Sequence, residues 1–208
     1  MKKLLFIGNS HTYVEDLPWL FQCVCKQKNT EVQVFMITYP GVDWNWHLNN
    51  HCTMSNIKFG GYDFVVMQQK SHPFDGAETL LNQGKQLFYA VESANAKAVF
   101  TSTWSEKNNP KGQDIIDNAF FQLHKNCKGS IIAKCGSGWH VLRDRIDLYA
   151  EDGEHQNQKG AYLNACILAK SIFDINPLAL PKQLFFDNKF INISEADIKM
   201  LQEAASNV

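Results

Sequence analysis

No run of apolar residues in this sequence approaches the ~18–20 needed to cross a bilayer. The start, Met1-Lys2-Lys3-Leu4-Leu5-Phe6-Ile7-Gly8, has the basic opening of a secretory leader, but its apolar run lasts only four residues. That is too short for a leader's hydrophobic region, so the expected location is cytoplasmic. An excess of charge of one sign is also missing: 20 Lys and Arg face 21 Asp and Glu, a formal net charge of −1. Neither nucleic acid nor an anionic membrane surface is therefore expected as a partner. The densest charged cluster, Arg143, Asp144, Arg145 and Asp147, already mixes its signs. The six cysteines (Cys23, Cys25, Cys52, Cys127, Cys135 and Cys166) form one Cys-x-Cys and no Cys-x-x-Cys. A zinc ribbon or thioredoxin motif is thus unsupported, and thiols within apolar stretches read as small buried hydrophobes. Internal repeats and low-complexity tracts are absent. What remains is an ordinary globular composition of 208 residues, 45% hydrophobic and 20% charged. A chain of that length can bury a core without disulfide or metal support.

Five short runs rich in β-branched and aromatic residues read as buried strands: Lys3–Ile7, Val32–Ile37, Phe64–Met67, Ala98–Thr101 and Ser130–Ala133. Helical periodicity fills the intervals. Leu17, Leu20, Phe21 and Val24 share one face of the first. Leu80, Leu81, Leu87, Phe88 and Val91 mark a second, and Ile115, Ile116, Ala119, Phe120 and Leu123 a third. A long helix follows from about Gln158 to Phe173, with Leu168, Ala169, Ile172 and Phe173 inward. Strand–helix alternation predicts parallel β-α-β units in a three-layer α/β/α fold, with ligands bound beyond the carboxyl ends of the strands. Continuous rather than alternating apolar runs predict strands buried on both faces. Pro177 and Pro181 bracket a turn after the last core helix, followed by the apolar Leu184-Phe185-Phe186 and a final helix capped by Ser194.

The residues just after the strands therefore carry the chemistry. Gly8-Asn9-Ser10-His11-Thr12 follows the first strand. It admits three readings: a tight turn or cap, a phosphate-binding loop without the Walker Lys, or the seat of a nucleophile. Asp152-Gly153-Glu154-His155 precedes the long helix near the other end of the chain. Alone it could be a surface turn that caps the helix. Paired with Ser10 it supplies what a serine hydroxyl needs: an imidazole base (His155) and a carboxylate (Asp152) that holds the tautomer and stabilises the imidazolium. Glu151 and Glu154 flank Asp152 and could take the acid's place if the loop ran differently.

Gly8-Asn9-Ser10-His11-Thr12 resembles the first block of the SGNH (GDSL-like) hydrolases, and Asp152-x-x-His155 their last block. The stretch from Asp152 to Leu163 resembles a branch of carbohydrate-ester hydrolases, with Gln156 where that branch usually has Pro. The resemblance covers roughly residues 3–175 and implies a flavodoxin-like fold with a mainly parallel five-stranded sheet. Residues 1–178 would be the hydrolase-like domain, and 179–208 a C-terminal extension ending in a helix and packed on it. It further implies a serine hydrolase that cleaves a carboxylic ester, such as an O-acetyl group on a carbohydrate, through an acyl-enzyme and without a cofactor. The backbone N–H groups of Ser10 and Gly41 would bind the oxyanion, although Tyr39-Pro40-Gly41 reads equally as a simple turn. The family's third block supplies an Asn that this chain lacks; Gln68, at the end of the third strand, is the natural substitute and Gln69 the second.

Expected substrate-binding residues are His11, beside the nucleophile; Trp44, Trp46 and His47, beyond Gly41; Gln69; and Trp104 and Trp139, after the fourth and fifth strands. Trp44 and Trp46 cannot share a helix face, so at least one is expected in the core. His47 and His51 are four apart, like a metal pair, but no Glu follows in the zincin pattern and no third ligand is evident, so no metal is expected. The missing Asn block and the Trp-rich loop also allow a reading of another class: a non-catalytic carbohydrate-binding protein on a decayed hydrolase scaffold.

Overall fold

A computed structural model describes residues 1–182, 185–186 and 189–208, with the backbone alone for 185, 186, 189 and 190. Five strands form one parallel sheet: β1 (Lys2–Gly8), β2 (Val32–Thr38), β3 (Phe64–Gln68), β4 (Lys97–Thr101) and β5 (Ile131–Ala133), in the order β2-β1-β3-β4-β5. This is the flavodoxin-like order, whose topological switch point lies between β1 and β3. The chain leaves β1 for β2 on one side and returns to β3 on the other, so a crevice opens where the carboxyl ends of β1 and β3 separate.

Alternation along each strand divides the core. Leu4, Phe6, Val66 and Val99 point to one face, where α2 (Leu17–Lys26), α7 (Cys135–Leu142), α8 (Gln158–Phe173) and α9 (Glu195–Ser206) pack. Leu5, Ile7, Val65, Met67, Ala98 and Phe100 point to the other, under α3 (Trp44–Asn49), α4 (His51–Phe59), α5 (Ala77–Ser93) and α6 (Gly112–Asn126). Each central strand is buried on both sides, which explains its uninterrupted apolar run. β2 departs from that expectation. It is the edge strand, hydrogen-bonded on one side only, and Phe35 and Met36 are 37% and 46% exposed. Ile115 also departs, lying on the outer face of α6 at 61% exposure while Ile116 and Phe120 fill the inner one.

The end of the chain packs on the first of these faces. Ile191, Ile193, Ile198, Leu201 and Ala205 join the same core as Tyr162 and Leu168 of α8, and Gln202 donates to the Tyr162 hydroxyl at 3.0 Å. Residues 185–186 and 189–190 pair as a short antiparallel hairpin. Leu184 and the side chains of Phe185 and Phe186, from the apolar stretch noted above, lie outside the described residues. Among the described residues no helix is long and apolar enough to cross a membrane.

Candidate active site

β1 ends at Gly8, and the four-residue helix α1 (Ser10–Tyr13) begins two residues later. A Cβ at Gly8 would collide with the side chains of Thr12 and Gln68, so only glycine allows this close turn. Asn9 caps α1: its Oδ1 accepts the His11 N–H at 3.0 Å, and its Nδ2 donates to the Val42 carbonyl at 3.0 Å. That second bond ties the Ser10 turn to the loop after β2, where Gly41 sits at φ +69°, a left-handed conformation that favours glycine. Ser10, as the first helical residue, keeps an amide without an intrahelical acceptor.

The loop before α8 reaches the same place from the far end of the chain. A bridge between Tyr149 and Gln156 closes it, with Ala150 N–H donating to the His155 carbonyl at 2.8 Å. Asn157 caps α8 by accepting the N–H groups of Lys159 and Gly160. Gln156, where the branch noted above has Pro, is fully buried; it donates to the Val14 carbonyl at 2.6 Å and accepts from Asn164 at 3.1 Å. A side-chain bond to the segment after α1 thus does the work that ring rigidity would otherwise do.

The two loops meet in a relay. The Ser10 hydroxyl donates to His155 Nε2 at 2.7 Å, and His155 Nδ1–H donates to Asp152 Oδ2 at 2.6 Å. The other Asp152 oxygen accepts the N–H groups of Glu154 and His155, both at 2.9 Å. Partial burial would raise the Asp152 carboxyl. The hydrogen bonds from Glu154 N–H and from the His155 ring and backbone outweigh it and hold the group at about 2. It is therefore an anion wherever the imidazole is neutral, which fixes the Nδ1–H tautomer of His155 and leaves Nε2 to accept from serine.

Several residues expected to bind substrate are committed elsewhere. Both ends of the Gln68 amide are engaged within the protein. Its Oε1 accepts the Asn9 N–H and the Thr12 hydroxyl, both at 2.9 Å, and its Nε2 donates to the Gln69 carbonyl. Asn9 N–H can only donate, so the orientation of that amide is fixed, and Gln68 holds the Ser10 turn from beneath. Gln69 is likewise spent: its Oε1 accepts Trp44 N–H and Lys70 N–H, and its Nε2 donates to Gln83. His47 is fully buried, donating to the Gly8 carbonyl at 3.0 Å and accepting from the Thr53 hydroxyl. Trp44 lies in the core between Phe100 and Phe120. Trp104 and Trp139 stack on each other at 4.1 Å and are buried in the core, 1% exposed each.

His11 is also buried, and its ring lies under that of His155 at 4.7 Å and 20°. Of the expected group only Trp46 stays partly open; it stacks on Tyr39 at 6.0 Å to form an aromatic ledge beside Gly41. Beyond the triad loop lies a cleft of about 390 Å³ lined by Glu106, Lys107, Asn108 and residues 151–154. A second, of about 300 Å³, shares Glu106 and is lined by Ser71, Phe74, Ile115 and Ile116. Among the described residues no cluster of His, Cys, Asp and Glu is placed to hold a metal ion.

A parallel sheet in flavodoxin-like order, with a Ser-His-Asp relay at its switch point, defines the class of the SGNH hydrolases, and the chain belongs to that superfamily. No family model and no curated protein matches the sequence. Among solved structures, the chain is similar to a candidate SGNH hydrolase from Slackia heliotrinireducens at 25% identity and a TM-score of 0.69, covering 82% of this chain and 98% of that one. It is also similar to a DUF4886 family protein from Bacteroides uniformis (16% identity, TM-score 0.72, 99% and 93% covered). A carbohydrate esterase family 3 protein from Talaromyces cellulolyticus shares the fold at 13% identity and a TM-score of 0.66, with 84% and 97% covered.

Proposed function

We propose that this protein is a serine esterase that removes a short acyl group, such as acetyl, from a carbohydrate or similar polyol. The observation that carries the reading is the continuous Ser10–His155–Asp152 relay, with links of 2.7 and 2.6 Å. In that reading Ser10 attacks the ester carbonyl while His155 takes its proton. The N–H groups of Ser10 and Gly41 receive the oxyanion, without the side-chain donor that relatives supply. His155 then protonates the departing alcohol and activates the water that releases the acid. The ledge of Trp46 and Tyr39 suits the apolar face of a sugar ring, and the cleft past Glu106 leaves room for the alcohol portion.

Turnover of p-nitrophenyl acetate by the wild type, Ser10→Ala and His155→Ala tests this. Loss of each side chain is expected to cost a few hundred-fold or more (~10³–10⁶ where a triad acts as a unit); unchanged turnover in either variant overturns the assignment. The commitment of Gln68 and Gln69 to internal bonds favours one other reading, a non-catalytic carbohydrate-binding protein. Tight sugar binding with no turnover by the wild type would select it.

A further inference from the structure

Four groups stand in line beneath the triad: Asn9 Oδ1, the rings of His11 and His72, and the Trp104 carbonyl. The spacings are 3.2 Å from Asn9 Oδ1 to His11 Nδ1, 2.8 Å from His11 Nε2 to His72 Nδ1, and 2.9 Å from His72 Nε2 to the Trp104 oxygen. Both ends of the line can only accept. The Trp104 end is a carbonyl, and Asn9 Oδ1 is identified as oxygen because it accepts the His11 backbone N–H while Nδ2 donates to Val42.

Three contacts between these groups need three protons on nitrogen. Two neutral imidazoles carry two, and a third would make one ring a cation. Burial lowers both rings, His11 to about 3, where the neighbouring His72 and His155 add to the effect. The Glu154 backbone and then Asp152 favour a cationic His11, and the Trp104 carbonyl and then Glu106 and Glu154 a cationic His72, but burial outweighs them. The pair is therefore neutral, and one contact lacks its proton. The longest, between Asn9 and His11 Nδ1, is the one that can go without, since Asn9 Oδ1 is already satisfied by the His11 amide. Both rings then carry the proton on Nε2.

From this geometry we propose that His11 and His72 are positioning residues for the reaction. His72 holds His11 as a neutral, Nε2-protonated ring whose face lies parallel to His155 and stabilises the imidazolium formed when Ser10 attacks. This inference rests on the esterase reading given above. A neutral aromatic face against a flat cation is attractive, and more so out of water. His155 is a cation only after proton transfer, so the stacked ring favours the transition state over bound substrate and acts on kcat rather than KM. The same line also supports the catalytic loop, because the Trp104 indole N–H donates to the Glu154 carbonyl at 2.8 Å. The loop after β3 therefore contributes to the site through His72 rather than through an Asn side chain.

Two measurements test the proposal. In the ¹⁵N-labelled wild-type protein, long-range ¹H–¹⁵N correlations at pH 5 to 7 should show His11 neutral, with the proton on Nε2. A cationic His11, or a proton on Nδ1, would overturn the proposal whether or not the protein is an esterase. In p-nitrophenyl acetate kinetics, His72→Leu should lower kcat by about three- to thirty-fold with KM little changed, the size expected of one cation–π contact. His72→Gln should restore most of that loss, because its amide oxygen can accept from His11 and its N–H can donate to Trp104. Equal activity of the Leu and Gln variants, or an effect confined to KM, would contradict the proposal. Absence of turnover in the wild type would instead reject the esterase reading, and the NMR result would still stand by itself.

Discussion

At the scale of single residues, the proposed mechanism separates groups that do chemistry from groups that hold them in place. In that proposal Asp152 belongs with the former through its anion. Replacing it with Asn should lower kcat by about 10³–10⁴-fold, because an amide at that position favours the wrong tautomer of His155. The measurement is p-nitrophenyl acetate turnover with the fold checked by circular dichroism. With its carboxyl held at about 2 by hydrogen bonds, Asp152 stays ionised until the medium is strongly acid. Any loss of activity at mildly acid pH therefore does not come from protonation of Asp152. Gln68 belongs with the supports. Gln68→Ala leaves the buried Asn9 N–H and Thr12 hydroxyl without an acceptor, and each such orphan costs about 1–3 kcal/mol. A fall of that order in urea-denaturation stability is expected, and no change would return Gln68 to the list of free donors.

The meeting of Ser10, Asp152 and His155 was legible because each lies in a short segment with a family-like pattern; spacing conveyed the Asp152–His155 pair, and the resemblance brought Ser10 to it. Gln68 was not legible. Its role depends on Asn9 and Thr12, 59 and 56 residues away, and a Gln at a strand end looks the same whether its amide points into the cleft or under a turn. Trp44, Trp104 and Trp139 were misplaced for a similar reason: an indole suits a sugar-binding face and a core equally, and only the packing partners decide.

Among the secondary-structure elements, strands were read more faithfully than short helices. Central strands buried on both faces show as continuous apolar runs, and their observed ends differ from the expected ones by a residue or so. α3, α4 and α7 were not foreseen, since helices of six to nine residues give periodicity too little length to repeat. Two of them nevertheless position the site, α3 through the His47 bond to the Gly8 carbonyl and α4 through the Thr53 hydroxyl on the same ring. The Asp152–His155 loop gains its rigidity from α8. Asn157 accepts two helix N–H groups and also donates to the Asp147 and Tyr149 carbonyls at 3.0 Å. Asn157→Ala should therefore cost about 1–2 kcal/mol, the upper part of the range for a lost helix cap. It should also lower kcat/KM, since the same side chain fixes both ends of the Asp152–His155 loop. Urea unfolding and p-nitrophenyl acetate kinetics on the one variant report both.

For the molecule as a whole, the flavodoxin-like sheet order brings together residues separated by almost the length of the chain: Ser10 and His155 are 145 positions apart. The class of fold followed from strand–helix alternation, but the order of strands came only with the resemblance, because nothing in an apolar run says which neighbour it pairs with. The site is also linked to stability through pH. Burial lowers His11, His47 and His72 in the folded protein, so they take up protons less readily there than in the unfolded chain, where they do so below about 6.5. The unfolded state thus binds more protons on the acid side, and stability must fall as pH drops. Urea midpoints measured at pH 7, 5.5 and 4.5 should decline in that order. A flat or rising series would contradict the buried, neutral state of these rings.

The central claim is that Ser10 is a nucleophile activated by His155, and covalent labelling tests it most directly. The wild type, Ser10→Ala and His155→Ala are each treated with a fluorophosphonate, and intact mass and peptide mapping record the adduct. The account predicts one adduct in the wild type, located on Ser10, none in Ser10→Ala, and labelling slowed by orders of magnitude in His155→Ala. A folded wild-type protein that takes no label at Ser10, or a His155→Ala variant labelled as fast as the wild type, would contradict it.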